Sequence, residues 1–309
     1  MILTVTLNTA LDITYRVRSL RPHASHRVSE VTERPGGKGV NVARVLAALG
    51  HEVTVTGFTG GATGRVVRER LAAVPGVLDA LVPVTGATRR TVAVVDERTG
   101  DTTQLNEPGP TITPSEWSAF QETYAALLPG VSAVALCGSL PPGVPVGAYA
   151  GLVRTARSHG VPVLLDTSGE PLRRGVAARP DIIKPNAEEL AELTGSHDPL
   201  RATQDARRRG AAAVVASLGP QGLLAVTRDG RWQATPPAPA RGNPTGAGDS
   251  AVAGLLSGLV EHLPWPTRLA RAIALSAATV TAPAAGEFDR GAYEELLTRV
   301  TVAGEVSAA

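Results

Sequence analysis

Residues 2–8, ILTVTLN, form a short, nearly unbroken apolar run closed by turn-forming residues, the pattern of a buried strand. Two half-polar alternating stretches follow at 12–17 and 26–32, a pattern that suits strands covering something rather than strands buried on both faces. KGVNVARVLAALG then shows helical periodicity and ends at Gly50. EVTVTGF (52–58) reads as a strand, 64–74 as a helix, and 88–105 as a β-hairpin turning at Thr99-Gly100.

Beyond residue 113 the rhythm becomes a strict alternation. Helix 114–128 precedes strand 131–137, helix 146–159 precedes strand 161–167, and a short helix near 170–178 precedes strand 181–184. Helices 186–194 and 199–209 precede strand 212–219, a second hairpin spans 222–235, and the last third is helical at 246–263, 265–281 and 289–299. Such alternation predicts an α/β fold with a mostly parallel central sheet and helices on both faces. No internal repeat and no long linker divides the chain. The expectation is a single domain over 1–309, with a small β-sheet lid inserted from about 10–33 and 85–107.

Composition then narrows the function classes. With 309 residues, 43% hydrophobic and 19% charged, the chain can bury a sizeable core. A net charge of +2 with 3% aromatic residues supplies neither the basic face nor the stacking platforms of a nucleic-acid binder. The single Cys137 excludes an internal disulfide, and no apolar run is long enough to span a membrane. No secretory leader is read, and the expected setting is the cytoplasm. The six histidines lack metal-ligand spacing, and neither G-x-S-x-G nor a strand-borne G-x-G-x-x-G is present.

Scarce residue types carry the remaining signal. Only two of the 30 basic residues are lysines, Lys38 in PGGKG and Lys184 in IIKPNAEEL. The five asparagines (Asn8, Asn41, Asn106, Asn186, Asn243) all fall in segments rich in Gly, Pro or charge. Turn preference accounts for that; specific side-chain partners would account for it too.

NPTGAGDSAVAG (243–254) is the strongest motif. Gly246, Ala247 and Gly248 open a helix, where orphan N–H groups and the helix dipole favour a phosphate or a developing anion. Asp249 follows on the first turn, and a carboxylate beside an anion hole is what phosphoryl transfer to a hydroxyl requires. Ordinary N-capping by Asp is the plainer alternative. PGGKG departs from a Walker loop because Gly39 follows the lysine, yet it places glycines and a cation at a helix start. In KPNAEEL, Asn186 and Glu189 can form a capping box or can face phosphate and water around Mg²⁺. In TRRT only one of Arg89 and Arg90 can face inward. The loop CGSLPPG presents Ser139, and SLGPQG (217–222) is a turn suited to adenosine contacts.

Taken in order, TLNTALD, PGGKGVNVARVLAALG, TRRT, NEPGP, GSLPPGVP, DTSGEPL, KPNAEEL, SLGPQG and NPTGAGDS resemble the ribokinase-like (PfkB) carbohydrate kinases from residue 1 to about 300. Within them, the chain is similar to the branch of 1-phosphofructokinases and tagatose-6-phosphate kinases. The resemblance implies a three-layer α/β/α core, with ATP and Mg²⁺ as cofactors and a sugar phosphate as substrate. It further implies a homodimer formed through the lid. It makes Asp249 the catalytic base and Gly246, Ala247 and Gly248 the anion hole. Asp12, Gly36, Gly37 and Asn41 would bind the sugar, with Lys38, Arg89, Arg27 and Ser139 near its phosphate. Lys184, Asn186 and Glu189 would face the ATP phosphates and Mg²⁺, the metal held through water, and Ser217, Gly219 and Gly222 would form the nucleotide loop. Two departures from the branch stand out: Thr91 where T-R-x-N is common, and a loosely matching segment, ASHRVSE. The implied reaction is phosphorylation of fructose 1-phosphate to the 1,6-bisphosphate. Tagatose 6-phosphate or fructose 6-phosphate is the alternative acceptor, and a non-catalytic sugar-phosphate sensor the alternative of another class.

Overall fold

The computed structural model describes residues 1–238, 242, 244–282 and 285–306. The first part of the chain runs β1 (Ile2–Thr6), β2 (Ala10–Val17), β3 (Val28–Gly36), α1 (Lys38–Ala48), β4 (Val53–Thr59) and α2 (Gly61–Ala72). Two short strands, β5 (Val77–Asp79) and β6 (Val82–Pro83), lead to the hairpin β7 (Arg89–Asp96) and β8 (Thr102–Asn106). The alternating region supplies α3 (Pro114–Leu127), β9 (Ala133–Cys137), α4 (Ala148–Ser158), β10 (Val163–Asp166), α5 (Gly169–Ala177) and β11 (Ile182–Ile183). It continues with α6 (Ala187–Thr194), α7 (Pro199–Arg208), β12 (Ala213–Ser217), β13 (Leu223–Val226) and β14 (Gly230–Thr235). The chain closes with α8 (Ala247–Val260), α9 (Trp265–Val280), α10 (Arg290–Leu297) and β15 (Thr301–Val306).

The main sheet has the order β15-β14-β13-β12-β11-β10-β9-β1-β4-β5, with β6 also beside β4. Pairings from β5 through β12 are parallel, and β13, β14 and β15 extend one side antiparallel. Strand alternation divides the apolar residues between two cores. Ile2 faces the layer of α1, α2, α8 and α9, while Leu3 and Val5 face the layer of α3 to α7. In α8, residues 249–258 are all buried, because α9 covers the side turned from the sheet.

A separate four-stranded sheet has the order β3-β2-β7-β8, joining the two half-polar stretches to the hairpin. Its β3 runs four residues beyond the alternating stretch, so that Gly36 pairs opposite Ala10. Pro35 is tolerated there because β3 is an edge strand and needs no ladder donor. The sequence pattern missed β5, β6 and β15. The first two are three and two residues long, and β15 is interrupted by a glycine that packs on Trp232.

Candidate active site

Ligand sites of open α/β sheets lie beyond the carboxyl ends of the strands, where strand order reverses. Here β1 is followed on one side by β4 and on the other by β9. At that edge stand Asn8 after β1, Gly138 and Ser139 after β9, Asp166 at the end of β10, Lys184 after β11 and Ser217 at the end of β12. They line a cleft of about 570 Å³, closed from above by Asp12, Thr91, Ala93, Gln104 and Asn106 of the smaller sheet and from the side by the start of α8. Four cationic and four acidic side chains line it among the described residues: Arg34, Lys38, Arg89 and Lys184 against Asp12, Asp166, Glu189 and Asp249.

The glycines before Lys38 are explained by close approach. Gly37 caps α1 at φ +101°, and a β-carbon there would lie 2.6 Å from the Thr6 methyl. A side chain at Gly36 would overlap the Asp12 carboxyl group, so Gly36 sits beneath that carboxylate rather than on the cleft wall. Burial pushes Asp12 above the usual carboxylate range, opposed by a short hydrogen bond from Thr91 and by Arg89 and Arg44. The threonine that departs from the T-R-x-N pattern is therefore the partner of Asp12.

Both lysines of the chain grip one buried carboxylate. Lys38 Nζ is 3.4 Å from Asp166 Oδ2, and Lys184 Nζ is 3.4 Å from Asp166 Oδ1. Burial opposes ionisation of Asp166, but Lys184 and Lys38 outweigh it and hold the acid below its ordinary value. In return Asp166 holds the Lys38 ammonium well above the usual lysine range against the opposing effect of burial. Lys184 also reaches toward α8: a β-carbon on Gly248 would lie 3.6 Å from its Nζ.

Asp249 is 7% exposed and accepts a 2.9 Å hydrogen bond from Asn41 Nδ2. Burial, reinforced by the Asp166 charge, raises its pKa to about 6; Lys38, the Asn41 bond and Lys184 pull the other way. A carboxylate poised there can take a proton near neutral pH. Activity that depends on this base should fall as pH drops through about 6, and a pH profile of kcat/KM reads that limb in the free protein.

Of the three residues read as an anion hole, Gly246 and Gly248 line the cleft. Ala247 does not, and its N–H donates to Pro244 O at 3.1 Å. Gly246 adopts φ +85°, and a β-carbon there would press to 2.8 Å on Ala285.

Arg89 faces the cleft, donating through Nε to Asn8 O and through Nη1 to Glu107 O, both at 3.2 Å, while Arg90 turns out to pair with Glu107. Asn8 Nδ2 donates to Ser139 Oγ and to Pro108 O, each at 3.1 Å, fastening three loops together. Asn186 and Glu189 form a complete capping box on α6, and both still line the cleft. Asn106 also lines the cleft; Asn243 lies outside the described residues.

Three further candidate residues do not line the cleft. Arg27 is exposed and away from the cleft, because it precedes β3 beside Val17, at the end of β2 remote from Asp12. Gly219 and Gly222 are not among the cleft-lining residues either, although Ser217 is. Gly222 is required instead by its approach to β14, since a β-carbon would meet Ala234 O at 2.0 Å.

Sequence reasoning singled out neither Asp166 nor Arg34 for the site, and it gave Asn8 no role. The available signals were an acid closing a buried strand at DTSGE, an arginine directly before the glycine turn, and the scarcity of asparagine.

Phosphoryl transfer asks a protein mainly for positioning and charge: a base for the acceptor hydroxyl, cations and a helix N-terminus for the moving group, and walls that exclude water. A fold that brings Asp249, Lys184 and Gly246–Gly248 together at the mouth of a polar cleft defines a phosphotransferase acting on an alcohol. The chain belongs to the pfkB family of carbohydrate kinases, whose family model matches residues 5–290. It is 41% identical over 284 residues to a 1-phosphofructokinase of Rhodobacter capsulatus, covering 89% of this chain and 90% of that protein. Phosphofructokinase-2 from Escherichia coli in complex with fructose-6-phosphate superposes with a TM-score of 0.88 at 30% identity, over 96% of this chain and 98% of that one. The tetrameric inhibited form of that enzyme gives 0.89 at the same identity and coverage. A Thermotoga maritima protein described as a possible 1-phosphofructokinase gives 0.89 at 28% identity, with 99% of each chain covered. Among the described residues no helix is long and apolar enough to cross a membrane.

Proposed function

We propose that the protein is a cytoplasmic, ATP-dependent kinase of a ketohexose phosphate, converting fructose 1-phosphate to fructose 1,6-bisphosphate. The observation that carries this reading is that two sets of cationic and polar groups line the cleft that holds Asp249. Lys184 and the α8 start serve the transferring phosphoryl group, and Arg89 with Ser139 and Asn8 serves a phosphate already on the sugar. A kinase of free sugars has no need of the second set. The similarity to a 1-phosphofructokinase supports the choice of acceptor.

The ATP phosphates fit the donor set of Lys184, Asn186 and the α8 N-terminus. Among the described residues no cluster of three acidic, His or Cys side chains could cage a metal. The donors present therefore fit a Mg²⁺ held by phosphate and water, with Glu189 and Asn186 as its nearest protein groups. Bound there, Mg²⁺ would neutralise charge on the nucleotide phosphates. Asp249 takes the proton of the acceptor hydroxyl, Asn41 fixes the orientation of that carboxylate, and the smaller sheet excludes water. The same sheet exposes Val28, Val31 and Leu105, which suits a homodimer formed through it as a lid.

Lys38 is assigned to the substrate's own phosphate. A compact ammonium fits beside the glycine turn where a guanidinium fork would not. Lys38→Ala is expected to raise KM for a sugar phosphate about tenfold or more, and KM for the free sugar far less. Equal effects on both would move Lys38 to the transferring group.

The proposal is tested by an ADP-release assay comparing kcat/KM for fructose 1-phosphate, fructose 6-phosphate, tagatose 6-phosphate and fructose. A clear preference for fructose 1-phosphate supports it. Preference for a 6-phosphate would turn the ketose end for end, and absence of turnover with every ketose phosphate would favour a sensor.

A further inference from the structure

The start of α8 is held by more than its own glycines. Gly246 packs on Ala285, and Gly286 lies against Asn41, the residue that orients Asp249. Segment 285–287 is in turn gripped by two arginines from different elements. Arg44 of α1 donates to Ala285 O at 3.0 Å and to Glu287 Oε1 at 2.8 Å. Arg34 of β3 donates through Nε to Glu287 Oε1 at 2.8 Å and through Nη2 to Oε2 at 3.4 Å. Arg34 pairs in register opposite Asp12 and lines the cleft, so its place follows the place of the smaller sheet. A second contact joins the same two bodies: Gln104 Nε2 of β8 donates to Thr245 Oγ1 at 3.1 Å.

We propose that Glu287 is a positioning residue that couples the smaller sheet to the phosphoryl-binding turn. With the sheet in place, Arg34 draws Glu287 and the segment carrying Ala285 against Gly246. The backbone of residues 246–249 is thereby fixed where the transferred group must bind. Glu287 touches no reacting atom; it acts through Ala285 on Gly246 and through Gly286 on Asn41. The pair is partly shielded, with side chains 25% and 32% exposed, and Arg44 is 11% exposed, so the carboxylate holds two charge partners away from full solvent. This inference rests on the kinase reading for its catalytic consequence, but not for its structural one.

The test uses the full chain with Glu287→Gln, Arg34→Gln and the double variant. Hydrogen–deuterium exchange is followed across α8 and, as a control, across α3, with kcat and KM measured alongside. The coupling predicts faster exchange over 246–250 in both single variants, with α3 unchanged. It predicts a kcat lower by about tenfold to a hundredfold, a smaller rise in KM for ATP, whose phosphates share the α8 start, and a double variant no worse than the poorer single one. Exchange at 246–250 equal to wild type would overturn it. Faster exchange spread evenly into α3, or effects of the two substitutions that simply add, would do the same. Should the wild type phosphorylate no ketose phosphate, the kinase reading fails, and the exchange data alone decide whether Glu287 holds the turn.

Discussion

Asp249→Asn is expected to lower kcat by about 10²–10⁴-fold, the usual contribution of a positioned proton acceptor. The amide has the same shape, so binding should survive: KM for ATP and sugar phosphate should move little while kcat collapses. Of the other described carboxylates lining the cleft, Asp12 is engaged by Thr91 and Glu189 by the α6 capping box. Asp166 lies nearby but is held ionised and engaged by Lys38 and Lys184. Steady-state kinetics across pH would check both halves of the statement. Loss of the acid limb near pH 6 in the residual activity identifies Asp249 as the group that titrates there.

Asp166→Asn is the second large expected effect, and it reaches both stability and chemistry. Removing one member of a buried ion pair leaves the other uncompensated, which costs about 3 kcal/mol. Lys184 is 5% exposed and has little water to turn to. Because Asp166 is held below its ordinary value, its stabilising contribution is present at neutral pH and is lost as acid protonates it. The chemical effect has a defined sign. The Asp166 charge is one of the influences that raise Asp249, so its removal should move the acid limb of kcat/KM below about pH 6. Thermal unfolding and a kcat/KM–pH profile together check the prediction. An unchanged unfolding midpoint with an unmoved limb would contradict it.

The alternating helices and strands from α3 to β12 were legible because each carries a strong period and a punctuating Gly or Pro. Asp249 and its glycines could be singled out because Gly246 and Gly248 stand at the start of α8 with the acid on its first turn. The hardest parts to read were contacts between residues far apart in the chain. Asp166 meets Lys38 across 128 positions, and Arg34 meets Glu287 across 253. Neither pairing leaves a local period or spacing. Arg27 shows that nearness in sequence to a motif does not fix place, since it lies at the far end of the strand pair. Gly222 is fixed by backbone approach to β14, a contact no local pattern announces. Asn186 and Glu189 form the capping box of α6, and the same two residues line the cleft.

The central claim is that a ketose already carrying a phosphate receives a second one at the hydroxyl facing Asp249. Phosphorus NMR of a reaction containing ATP, Mg²⁺ and fructose 1-phosphate tests it most directly. The account predicts ADP and fructose 1,6-bisphosphate as the products, both absent with Asp249→Asn over the same interval. ATP and the ketose phosphate remaining unchanged with wild-type protein, while both still bind, would contradict it.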